Sequence, residues 1–195
     1  MHNAKRLAIA AAAILAATPA FAHVGAGPTA GFVAGFTHPL SGVDHVTVMV
    51  AVGLWAALKG GRALWAWPVA FVAVMLVGGA LGMAHVPLPF VEPAIMASVV
   101  ALGILVAIAA DLPVWTGAAI VGLFALFHGH AHGTEVAENL AGIQYMAGFA
   151  TATALLHAVG IALAVTLGTR FRPLVRIVGA GCAMIGVALA AGVIS

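Results

Sequence analysis

Apolar runs of about the 20 residues needed to cross a bilayer follow one another along most of the chain. The first is interrupted: residues 31–40 end in His38-Pro39 and residues 41–58 continue the run. Proline breaks or kinks a helix, so this span is expected to break near Pro39, with Ser41 available to cap the second piece. Further runs cover about 64–84, 93–110, 114–127, 142–168 and 174–194. The pattern predicts an all-α, polytopic membrane helix bundle of about six transmembrane helices. Gly78 and Gly82 form a GxxxG pair, and Gly179, Ala183 and Gly186 share one face of the last run. Such faces let helix backbones pack closely in lipid.

Residues 1–22 read differently. Lys5 and Arg6 precede a short apolar stretch and the A-x-A site Ala20-Phe21-Ala22, the layout of a cleaved signal peptide. The expected organisation is a signal peptide, 1–22, and one transmembrane domain, 23–195, that begins at His23. Lys59 and Arg62 fall between the first two spans, and Arg170, Arg172 and Arg176 between the last two. Positive loops face the cytoplasm, so both mature ends are expected outside.

Composition agrees: the chain is 64% hydrophobic and 6% charged, far from a soluble domain. Its expected surroundings are the lipid bilayer. Nothing points to nucleic acid. A homo-oligomer is compatible with the sequence. Cys182 is the single cysteine, which excludes an internal disulfide and a Cys-based metal site.

Against this background the ionisable residues stand out, because His, Asp and Glu are costly in hydrocarbon and mark function there. Phe127 to Glu135 reads Phe-His-Gly-His-Ala-His-Gly-Thr-Glu. On a helix, His128, His132 and Glu135 share a face and His130 points away. Gly129 and Gly133 weaken a helix and allow a His-rich loop as the alternative. The second group is His38, Asp44 and His45, with Met49 one turn beyond. Asp44 can bind metal directly or orient an imidazole from behind. Nitrogen and carboxylate donors suit Ni, Zn, Co or Cu. Counting ~1.5 Å per residue from the expected cytoplasmic ends, at Lys59, Asp111 and Arg170, places His45, His128 and His157 in a common layer. His157 and Met49 fit packing roles as well as ligation. His85, Glu92 and Asp111 read as span ends. His23, as a mature N-terminus, could chelate metal through its amine and ring.

At these motifs the chain resembles the HupE/UreJ family of nickel permeases. The first block is His38, Pro39, Gly42, Asp44, His45 and Met49, followed by Val52-Gly53-Leu54-Trp55-Ala56. The second is Phe127 to Glu135. A third and weaker block is Tyr145, Gly148-Phe149 and Ala154-Leu155-Leu156-His157. Val136-Ala137 depart from the pattern, which would place a proline soon after the glutamate. The resemblance implies a secondary transporter, not an enzyme, in the bacterial inner membrane. It would move Ni²⁺ into the cytoplasm for hydrogenase or urease maturation, with nickel as transported substrate and no permanent cofactor. His38, Asp44, His45, His128, His132 and Glu135 carry over as its metal ligands; His23, Met49, His130 and His157 are further candidates from the residues alone. Two other classes compete. A b-type haem electron carrier needs paired histidines on facing helices. A metal-dependent membrane hydrolase would use bound zinc to activate water.

Overall fold

The computed structural model describes residues 31–167 and 172–194. The expected signal peptide, His23 and Arg170 lie outside them. The described residues form seven helices and no strand: α1 Phe32–Ser41, α2 Val43–Lys59, α3 Ala63–Met83, α4 Val91–Ala107, α5 Val114–Thr134, α6 Leu140–Leu167 and α7 Arg172–Ala190. The chain is a polytopic helical membrane protein. Four helices, α3, α5, α6 and α7, are long and apolar enough to cross a membrane, and the bent pair α1–α2 makes a fifth candidate span. The apolar α4 has 17 residues, about 25 Å at the helical rise, and supplies the remaining element of the six expected.

The first span breaks later than the proline. Pro39 sits inside α1, and α1 and α2 meet at Gly42, where they bend by 85°. Pro39 falls in the last turn of α1, where it removes a single intrahelical bond and its ring can be accommodated. Ser41 does not cap α2: its hydroxyl donates to the His38 carbonyl at 2.7 Å, and Gly42 occupies the N-cap position. Gly42 is extended, with φ −90° and ψ 123°.

Helices pair through glycine. α3 packs along α5, and a Cβ on Gly129 or Gly133 of α5 would collide with the carbonyl oxygens of Met75 or Gly79. Gly78 and Gly82 meet the Leu126 and His130 carbonyls in the same way. The glycines that weaken a helix in isolation are the ones that let this pair approach, and α5 is helical through the His-rich motif as far as Thr134, with Glu135 at its C-cap. Gly179 and Gly186 bring α7 against the α4 backbone, with Ala183 opposite Gly103.

The polar residues divide between the two ends. At one end Lys59 pairs with Asp111, Arg172 donates to the Leu58 carbonyl and Arg176 to that of Ala107. Close by, the rings of the fully buried Trp55 and Trp67 lie against each other at a 38° tilt, with centroids 4.2 Å apart. Their indole N–H groups donate to the Ala110 and Val114 carbonyls. The opposite end holds the α1–α2 break, the end of α5 and the start of α6.

Candidate metal site

His38 ends α1, Asp44 and His45 open α2, and His132 lies in the last turn of α5. One ring nitrogen from each of His38, His45 and His132 lies within 4.8 Å of the others. His45 and His132 are buried, whereas His38 is partly exposed and forms the outer side of the group. Phe149 floors it, its ring centroid 4.5 Å from that of His132 and 5.8 Å from that of His45. Tyr145 stands beside His38 at 6.0 Å.

Both carboxylates stand behind imidazoles. His45 Nδ1 lies 2.8 Å from Asp44 Oδ1, and His132 Nδ1 lies 3.4 Å from Glu135 Oε2. An ionised carboxylate only accepts, so each Nδ1 carries the proton and donates it. Each neutral ring then keeps its lone pair on Nε2, and the two Nε2 atoms face each other at 2.6 Å. Two lone pairs at that separation repel unless a shared proton or a metal cation stands between them. Metal–imidazole bonds of ~2.0–2.1 Å put neighbouring ligand nitrogens about 3 Å apart, so a small opening of the pair admits an ion. Carboxylate–histidine pairing of this kind fixes the tautomer and strengthens the ring as a donor.

Gly42 follows from the same contact. A Cβ there would sit 2.7 Å from His45 Nδ1 and 2.8 Å from Asp44 Oδ1. The spacing of glycine, aspartate and histidine therefore seats the Asp44–His45 pair over a bare backbone. Asp44→Asn is expected to keep the hydrogen bond but lose the charge, and to weaken metal binding about 10–100-fold, the usual effect of losing a ligand's partner. Gly42→Ala is expected to act in the same direction by displacing the pair. Titration of purified variants with nickel checks both, and unchanged affinity in both would remove the positioning role.

The remaining candidates fall elsewhere. His128 lies beside the group, its ring 5.4 Å from that of His45. Its Nε2, however, lies 3.0 Å from Ser98 Oγ, whose own proton goes to the Ile95 carbonyl. His128 Nε2–H is thus the donor to Ser98, and the lone pair of the neutral ring stays on Nδ1. Ser98 was not anticipated, although it is the one polar side chain in the apolar run of α4. His130 points away, as the periodicity predicts, and its Nε2 lies 2.8 Å from the Val86 carbonyl. Met49 is fully buried in the apolar core.

His157 leaves the expected common layer. Its backbone carbonyl lies against Gly53, two turns along α2 from His45 or ~12 Å, and its ring meets Phe71 at 5.0 Å. The 28 residues of α6 make a helix of ~42 Å, longer than a ~30 Å hydrocarbon core, so distance along its axis overstates depth. The departure at Val136 is accommodated by burial, since that side chain joins the core.

Comparison with known proteins agrees with the motifs. Residues 11–189 match the family described as HupE / UreJ protein. The curated Protein HupE of Rhizobium leguminosarum bv. viciae is 46% identical over 178 residues, which cover 90% of this chain and 93% of that protein. No solved structure matches. With most of its length inside the family's bounds and its paired motifs meeting in one histidine group, the chain belongs to the HupE/UreJ family.

Proposed function

We propose that this protein is a secondary transporter that moves Ni²⁺ across the bacterial inner membrane into the cytoplasm, for hydrogenase or urease maturation. One observation carries the reading: two carboxylate-backed imidazoles aim their Nε2 atoms at each other at 2.6 Å, with His38 alongside. The donor set is all nitrogen and oxygen, which favours a borderline divalent ion that must be released again. The partly exposed His38 receives the ion from outside, and His45 and His132 hold it. The bent α1–α2 pair supplies the broken helix on which transporters commonly build such sites. The basic end with Lys59, Arg172 and Arg176 faces the cytoplasm on this reading, which places the histidine group at the periplasmic side. The site therefore lies on the face that meets incoming metal. The name of the similar Protein HupE, and the family it shares with UreJ, support the link to hydrogenase and urease.

A haem carrier fits the geometry poorly. No macrocycle fits between ring nitrogens 2.6 Å apart. A hydrolase that used metal-bound water would need a proton donor for the leaving group, and the Ser41 hydroxyl already donates to the His38 carbonyl. The test is metal accumulation in cells with and without the protein, at limiting nickel and with Co, Cu or Zn as competitors. Nickel accumulation that depends on the protein and resists the competitors is expected. Equal accumulation in both strains would refute the reading.

A further inference from the structure

Between the histidine group and the tryptophan pair, α3 and α6 face each other at two successive levels. The Thr153 hydroxyl donates to Met75 Sδ at 3.7 Å, and one turn further the His157 ring meets Phe71 edge-on. One more turn along α3 is Trp67, packed against Trp55. Thr153 and Phe71 are fully buried and His157 is 1% exposed. Neither ring nitrogen of His157 has a hydrogen-bond partner among the described residues.

That arrangement is poor for a packing residue. Leucine or phenylalanine would fill the space without burying two unsatisfied polar atoms. Two other buried polar side chains nearby have partners: Thr153 donates to Met75, and Ser98 bonds Ile95 and His128. Phe71 lies against both His128, with ring centroids 6.0 Å apart, and His157, at 5.0 Å, and the His128 ring is 5.4 Å from that of His45. A thioether and a hydroxyl, Met75 and Thr153, stand one turn away as weak further donors.

We propose that His157 is an inner transit ligand, a second metal-binding position that takes the ion from the outer histidine group before its release past Trp55 and Trp67. The proposal rests on the transport reading and deepens it. An imidazole with no competing hydrogen bond is ready to accept an ion, and one side chain with weak helpers holds it loosely enough to pass on. Phe71 separates the two positions, so its ring must swing aside for the ion to cross.

The experiment compares purified wild type, His157→Leu and His157→Met. Leucine fills the space and cannot ligate, whereas methionine fills it and offers a sulfur. Nickel binding is titrated in detergent, and initial nickel uptake is measured in proteoliposomes over a range of concentrations. For His157→Leu, outer-site affinity and half-saturating nickel should stay within about twofold of wild type while the maximal rate falls about tenfold or more, the split expected when a step after capture is impaired. His157→Met should recover part of that rate. Wild-type rates in His157→Leu would overturn the proposal, and so would equal losses in the leucine and methionine variants, which indicate packing. Wild-type protein that moved no nickel would remove the transport reading itself, and this inference with it.

Discussion

Uptake at limiting nickel is expected to fall to the background of cells lacking the protein when His132 is replaced by alanine, and likewise for His45. The two side chains supply the facing Nε2 atoms of the site. Removing either one takes one of the two facing nitrogens from the group, and leaves Glu135 or Asp44 without the ring it orients. Loss of a mere second-layer partner weakens metal sites about 10–100-fold, so loss of a direct ligand should exceed about 100-fold in affinity. Membrane abundance measured alongside separates this from misfolding. Wild-type uptake in both variants, at normal abundance, would show that the ion does not pass through this group.

A different kind of failure is expected for Gly129→Val. Here the obstacle is backbone: the added carbon meets the Met75 carbonyl oxygen, and Gly79 lies beside it. Overpacking commonly costs about 1–3 kcal/mol where side chains can shift. A helix pair held by glycines on both sides has no such slack, so the cost should reach the top of that range. Separation of α3 from α5 would also displace His128 and His132, which ride on α5. The expected result is loss of folded protein from the membrane, seen as low abundance and a lowered unfolding temperature in detergent. An unchanged unfolding temperature would contradict the tight α3–α5 contact. Gly181, which has open space around its Cα, provides the matched control, since Gly181→Val should be tolerated.

Much of this architecture is legible in the chain because a bilayer imposes a simple rule: apolar runs of sufficient length become helices. The small-residue faces at Gly78/Gly82 and Gly179/Gly186 also announce close packing correctly. The same physics misleads at Gly129 and Gly133, where helix propensity argues for a loop and tertiary contact requires a helix. The break at Gly42 is displaced from Pro39 because the seat of the Asp44–His45 pair governs it, a contact made by side chains two and three residues later. Spacing alone brings His45 and His132 into consideration, but their Nε2-to-Nε2 contact depends on how α2 and α5 cross. His128 shows the limit most clearly. Its position on the helix matches that of His132, yet Ser98, on another helix, sets its proton and leaves the lone pair on Nδ1 rather than Nε2. Depth counted along the chain is a poor guide for His157 because the 28 residues of α6 exceed the length that a bilayer core requires.

The central claim, that this chain alone carries nickel through the histidine group, is tested most directly in proteoliposomes. Purified protein is reconstituted, radioactive nickel is supplied outside, and uptake down the gradient is followed beside empty vesicles and vesicles holding His132→Ala. The account predicts nickel entry with the wild-type protein and entry at the empty-vesicle rate with His132→Ala. Wild-type vesicles that fill no faster than empty ones, or a His132→Ala protein that transports as well as wild type, would contradict it.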